Sequence, residues 1–218
     1  MSSLYPVPQD CSPLMAEQEK TPSAAIPDNV YLHFPEKVRI SVTGPDAPDR
    51  RQQEAFIREK FQLAHNAEIH HFMPEFLTLQ NTDNQLVAIC GMRSARNQAL
   101  FLEQYLELPI EQVLSLQTGK AIRRESIIEV GNLAISSPSH IRKLLASLNT
   151  HLHTTDAEWV VFTGIASLYN SLIKLNIPMY ILANADVIRL PAEQRSAWGS
   201  YYHQCPQVIA VPRYQRQI

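Results

Sequence analysis

Apolar and polar positions change period several times along the chain, and each change marks an element. VRISVTG (38–44) alternates with period two and predicts a short strand, followed by a turn in GPDAPD. Asp49 with Gln52 three residues on predicts a capping box, after which Phe56 or Ile57, Phe61 and Ala64 fall at helical spacing over about five turns. PEFLTLQ and QLVAICGMRSA read as two strands joined by Asn81-Thr-Asp-Asn84, residue types that favour a hairpin turn. LFLEQYLEL fits strand or helix. PIEQVLSLQT, entered at Pro109 and stopped at Gly119, predicts a short helix.

The second half repeats one pattern. Ser126–Ile135 predicts a strand, Ser137 an N-cap and Pro138 a first helical position, and Ile141, Leu144, Leu145, Leu148 and Leu152 form the apolar stripe of an amphipathic helix. EWVVFTGI then predicts a strand, SLYNSLIKLN a helix and PMYILA a third strand. Strands and helices joined this closely imply parallel pairing, at least locally. The last segment holds a short helix entered at Pro191, the aromatic residues Trp198, Tyr201 and Tyr202, and a strand QVIAV. The order predicts a three-layer α/β arrangement.

Two polar residues interrupt the apolar strand IIEVGNLAI. Burying Glu129 or Asn132 without partners is costly, so each needs either a structural hydrogen-bond network or a substrate. Three residues apart, they lie on opposite faces of an ideal strand unless Gly131 marks a bulge that brings them together. The hinge Ser136-Ser137-Pro138-Ser139-His140 leads into the helix, where free backbone N–H groups and the helix dipole favour an anion, with Arg142 and Lys143 close by; an ordinary capped helix accounts for the same residues.

Length and composition bound the rest. A chain of 218 residues with 45% hydrophobic and 18% charged residues supports one main core. Six prolines in the first 35 residues predict an extended or disordered arm over 1–36, which leaves 37–218 as the folded domain. A formal charge of -2 gives no electrostatic reason to expect nucleic acid. Cys11, Cys90 and Cys205 form no C-x-x-C pair, and the chain carries neither a secretory leader pattern nor the ~18 apolar residues of a spanning helix, so a soluble cytoplasmic protein without stable membrane insertion is expected. Dinucleotide, P-loop, serine-hydrolase and zincin motifs are absent from the sequence, and His70-His71 and His151-x-His153 lack the company of a metal site.

In this order, LFLEQYLELPIEQVLS, IIEVGNLAI, WVVFTGIASLYNSLIKLNI and ILANADVIRL resemble the thermostable hemolysin family over about residues 37–212. The family looks like a divergent branch of the GNAT acyltransferase fold, and its Glu-x-x-Asn strand is similar to the Glu-x-x-Arg strand of acyl-homoserine-lactone synthases. The resemblance implies a GNAT-like three-layer α/β/α domain whose mixed sheet is splayed at the centre, with IIEVGNLAI and EWVVFTGI as the diverging strands. It implies an N-acyltransferase with no permanently bound cofactor, taking acyl-CoA or acyl-phosphopantetheine on a carrier protein as co-substrate and a small amine, such as an amino acid, as acceptor. A homodimer is left open.

Carried onto this sequence, Leu133, Ala134 and Ile135 are the backbone partners of pantetheine, Ser139, His140 and Arg142 the phosphate end, and Asn170 an amide contacting the arm. Glu129 and Asn132 face the acceptor, with Glu129 as general base, directly or through water, and Tyr169, or else Tyr201 or Tyr202, as the acid. Arg93, Glu103, Thr163, Trp198 and Tyr201 are expected to line the substrate pocket. The phosphate loop of the superfamily is Gly-rich, whereas SSPSH contains no glycine, Asn176 stands at a usual Gly position and Leu172 where the tyrosine acid is common. The glycine-free phosphate loop favours a carrier-protein donor, which needs less of that grip, whereas the missing glycines and tyrosine together suggest a non-catalytic module. Two other functions remain as alternatives: the membrane-damaging activity of the family's name, and a non-catalytic binding module.

Overall fold

Each strand expected from the sequence is present in the computed structural model, which describes residues 37–213. The arm expected over 1–36 lies outside the described residues. Strands β1 (Arg39–Thr43), β2 (Glu75–Gln80), β3 (Leu86–Ser94), β4 (Ile127–Ile135), β5 (Trp159–Gly164), β6 (Tyr180–Asn184) and β7 (Gln207–Pro212) form one seven-stranded sheet in the order β1-β2-β3-β4-β5-β7-β6. The β2–β3 hairpin turns as expected: Asn84 takes the left-handed conformation (φ 59°), and the Asn81 side-chain oxygen accepts from the N–H groups of Asp83 and Gln85.

Helices α1 (Arg50–His65) and α2 (Ile110–Thr118) cover one face of the sheet, and α3 (His140–Leu152) and α4 (Ala166–Lys174) cover the other. Alternation along the strands divides the core accordingly. Val130, Val160, Phe162 and Ile209 pack with Leu144, Leu148 and Leu172 on the α3/α4 side, whereas Ile127, Val161 and Val208 pack with Leu102, Ile110 and Leu114 on the other. LFLEQYLEL is neither strand nor α-helix but a 3-10 turn over Phe101–Tyr105.

Two expectations change. The third strand of the repeated unit does not pair with β5 in parallel: β7 inserts between β5 and β6, antiparallel to both, so β4–β5 is the one parallel pair among the described residues. Asp49 does precede α1, but its side chain caps no backbone N–H. Gln53 rather than Gln52 reaches it, because Gln53 lies on the buried face with Ile57; its amide nitrogen donates to Asp49 (2.8 Å) and its oxygen accepts from Thr43 Oγ1 (3.0 Å), tying α1 to β1.

A β-bulge breaks the β3–β4 register. Gly91 faces Gly131, yet Ile89 faces Ala134, so Asn132 and Leu133 together oppose Cys90. Asn132 adopts φ 48°, a left-handed conformation that asparagine tolerates better than most residues. Its Oδ1 accepts from Met73 N (2.8 Å) and its Nδ2 donates to His71 O (3.2 Å), which fastens the segment before β2 onto the bulge. Met73 lies over both glycines. A methyl group on Gly91 would come within 2.5 Å of Met73 Cβ and 3.1 Å of Asn132 Oδ1, whereas one on Gly131 would meet the terminal Met73 Cε at 2.6 Å. The first contact is with a rigid atom and the second with a flexible end. Gly91→Ala is therefore expected to destabilise by about 2–3 kcal/mol, lowering Tm by roughly 5–10 °C, with Gly131→Ala clearly milder; thermal unfolding of the two variants checks the order.

Candidate active site

The parallel pairing of β4 and β5 runs from Ile127↔Trp159 to Val130↔Phe162 and stops. Beyond it β4 continues beside β3 to Ile135 while β5 continues beside β7 to Gly164, so the two central strands part at the bulge. This is the expected splay. Ser136 N donates to Val87 O (2.8 Å), and by the alternation of antiparallel ladders Ala134 also turns its N–H and C=O toward β3. Leu133 and Ile135 turn theirs toward the gap between β4 and β5. Of the three residues expected to hold a pantetheine arm, two thus present backbone groups to the fork, while Ala134 is buried against β3 and α1.

The hinge after β4 differs from expectation. Helix α3 begins at His140 with Ser139 before it, two residues later than the Ser137/Pro138 start. The reason is local: Ser137 Oγ accepts from Ser139 N (3.4 Å) and pairs with Ser139 Oγ (2.9 Å), and His140 N and Ile141 N donate to the carbonyls of Ser137 and Pro138 at 3.0 and 3.4 Å. The N–H groups of 139–141 are thereby turned inward. Ser136 Oγ lies 3.1 Å from His140 Nδ1, and Arg142 and Asn170 are exposed on α3 and α4. Tyr169 is half-buried with Leu168 against the α3/α4 core. Asn176, following α4, does adopt positive φ (53°).

On the opposite face of the sheet the bulge places Glu129 and Asn132 on one side. Glu129 is only 2% exposed, and its two oxygens accept from Phe101 N (2.9 Å) and Leu102 N (2.8 Å), at the start of the 3-10 turn. Burial raises its pKa, and the two N–H bonds and Arg93, whose Nη1 is 3.8 Å away, oppose that shift. Glu103 has the other balance. Burial pushes it up, but a paired Arg124 guanidinium (2.7 and 2.9 Å) and the N–H groups of Ile110 and Leu100 hold it at about 2. Arg124 reaches Glu111 at 2.6 Å as well. Glu103 therefore serves the wall of the site and the start of α2, with no oxygen left facing a pocket.

Trp198 and Tyr201 stand in an aromatic cluster with Phe61, Phe101 and Tyr202, ring centres of contacting pairs 5.3–6.5 Å apart. Tyr105 and Tyr202 share a short hydroxyl hydrogen bond, and burial raises both. Tyr201 Oη donates to the Thr163 carbonyl at 3.3 Å, bringing this cluster to the β5 arm of the fork. Sequence reasoning did not place Phe61, Phe101 and Tyr105 in this cluster, although Phe61 lies on the predicted apolar stripe of α1 and the other two lie in LFLEQYLEL, which fitted strand or helix. A second cleft, of about 600 Å³, opens at the far end of the sheet, where Arg96 pairs with Asp156 (3.9 Å) and Arg123 with Glu158 (3.7 Å). Among the described residues no helix is long and apolar enough to cross a membrane, and no three His, Cys, Asp or Glu side chains group as metal ligands.

Residues 43–216 match the family model described as thermostable hemolysin, which covers most of the chain. The chain belongs to the thermostable hemolysin family. Comparison with curated proteins finds no match. Among solved structures this family member is similar to the AHL synthase LasI, with a TM-score of 0.56 at 8% identity over 82% of this chain and 91% of LasI. It is similar also to FeeM, an N-acyl amino acid synthase from uncultured soil microbes, with a TM-score of 0.53 at 14% identity over 80% of this chain and 90% of FeeM. At these identities the likeness establishes the fold, which is GNAT-like: a mixed, centrally splayed sheet between helical layers.

The carboxylate environments set a pH dependence. With a folded pKa near 2, Glu103 contributes stability that is present above its unfolded value of about 4.3 and lost as pH falls through its folded value. Raised Glu129 has the opposite sign, its contribution being present at low pH and lost as pH rises through its folded pKa. Because Arg124 keeps Glu111 and the pair is partly solvated, Glu103→Gln is expected to cost about 1–2 kcal/mol at pH 7 and to flatten the decline in Tm between roughly pH 4 and 2, as thermal unfolding across pH 2–7 will show.

Proposed function

We propose that the chain is an N-acyltransferase that moves an acyl group from a thioester, on a carrier protein or CoA, to a small amine. The single observation that carries this reading is the fork: two central strands part at a bulge, and Leu133 and Ile135 turn unpaired backbone groups into the gap. An extended amide-bearing arm such as pantetheine can pair there as a further strand would. Two proteins that share the fold, an AHL synthase and an N-acyl amino acid synthase, support acyl transfer as its use.

In the proposed reaction the neutral amine attacks the thioester carbonyl, the C–N bond forms, the C–S bond breaks, and the proton lost by nitrogen ends on the released thiol. Backbone N–H groups at the fork stabilise the oxyanion. Tyr169 on α4 protonates the departing sulfur, and its phenolate takes up the proton lost by nitrogen, directly or through water, so that the tyrosine is restored. Glu129 and Asn132 act as positioning residues, because the carboxylate and the amide are both spent on backbone groups that hold the wall around the fork. A carrier-protein donor is favoured over CoA, since the N–H groups of 139–141 are already bonded within the hinge and offer little grip to a pyrophosphate.

Thiol release from a panel of acyl-carrier proteins and acyl-CoAs, each with a panel of amines and amino acids, tests the reading. Release above background with at least one pair is expected, faster with a carrier-protein donor. No release with any pair would leave a binding module. Tyr169→Phe is expected to lower kcat about 10²-fold with little change in KM; an unchanged kcat would remove Tyr169 from the role of acid.

A further inference from the structure

Two buried side-chain polar atoms among the described residues lack a hydrogen-bond partner, Arg93 Nε and Thr163 Oγ1. They share one face of the sheet. Arg93 stands directly opposite Glu129 in the antiparallel register, Glu129 lies beside Val161 in the parallel register, and Thr163 follows two residues later. Strand geometry puts the two Cα atoms about 12 Å apart, from two strand spacings of ~4.8 Å and one two-residue step of ~6.6 Å. A small ligand and an arginine side chain together span that distance. Thr163 stands at the mouth of the fork, just past the last β4–β5 pair.

The Arg93 guanidinium is a cation without a hydrogen-bonded counterion. Its nearest carboxylate oxygen, on Glu129, is 3.8 Å away, beyond hydrogen-bonding distance, and both Glu129 oxygens are occupied by the N–H groups of Phe101 and Leu102. The Arg93 side chain is 20% exposed, so a solute can still reach part of it. Five N–H donors in a planar fork on a largely desolvated strand match a carboxylate, which can take two parallel bonds from them. Leaving such a group unsatisfied costs stability, and a site that keeps it unsatisfied when empty gains affinity when filled.

We propose that Arg93 reads a carboxylate on the acceptor, so that the acceptor is an amino acid rather than a simple amine, with Thr163 Oγ1 as the second polar contact beside the fork. This rests on the acyl-transfer reading for the name acceptor, but the recognition itself needs no donor. The carboxylate anchors at Arg93, and the amine lies toward Thr163, where the thioester would enter.

The test is binding, measured calorimetrically on the full chain without any acyl donor. Probes are L-leucine, L-phenylalanine and L-methionine, each against the amine that differs only by loss of the carboxylate: isoamylamine, phenethylamine and 3-(methylthio)propylamine. At least one amino acid is expected to bind ten or more times tighter than its amine. Arg93→Gln is expected to abolish that ratio. Arg93→Lys keeps a counterion for Glu129, so that folding is preserved, and is expected to cut the ratio at least threefold because the planar fork is lost. Thr163→Val is expected to weaken amino acid and amine together. Equal binding of acid and amine, no binding of either, or a ratio unchanged in folded Arg93→Lys overturns the proposal. Thiol release without carboxylate discrimination would overturn this inference alone, whereas discrimination without thiol release from any donor would overturn acyl transfer and leave it standing.

Discussion

One asparagine in a left-handed conformation sets the geometry of the whole site. An ordinary L-residue pays roughly 1–2 kcal/mol to adopt that backbone, and Asn132 recovers its cost through a side-chain amide bonded at both ends to the 71–73 segment. The extra residue it inserts does three things at once. It brings Asn132 onto the face of Glu129, it sends Leu133 and Ile135 toward α3, and it decides that the backbone groups of those two residues, not of Ala134, open toward β5. A straight strand would have reversed all three, because the side-chain period of a strand is two.

Glu129 and Glu103 show how one residue type serves a wall in two ways. Both carboxylates accept from backbone N–H groups, those of Leu100, Phe101, Leu102 and Ile110, so that the stretch from 100 to 110 around the 3-10 turn is held at four points. Glu103 has a hydrogen-bonded arginine and stays ionised far into acid; Glu129 has only a more distant one and is pushed the other way by burial. The difference lies in where the cations stand. Arg124 is spent on Glu103 and Glu111, and Arg93 is left over.

Local pattern carried much of this fold and part of the site. The β2–β3 turn, the Pro109 and Gly119 limits of α2, the α3 stripe and the strand order along the chain were all legible, because each depends on residues within one or two turns of one another. The bulge was legible only as a condition, and it falls on Asn132, one residue beyond the glycine that signals it. What failed was nonlocal. No periodicity shows that β7 enters between β5 and β6, that Gln53 rather than Gln52 faces β1, or that Glu103 meets an arginine 21 residues away. The early start assigned to α3 failed for a different reason: Ser137 does cap, but it caps a tight turn that precedes the helix.

The position of β7 has a meaning for how the molecule comes into being. It follows β5 and β6 in the chain and yet lies between them, hydrogen-bonded to both. As the polypeptide is synthesised, β5 therefore emerges with one edge facing the fork and the other still bare, and β6 emerges with no neighbour at all. An apolar strand with two open edges is a template for unwanted pairing. Until Gln207–Pro212 arrives, one edge of β5 is open along its whole length and the other only past Val130↔Phe162, and a strand that entered the fork instead would fill it while preserving the strand count.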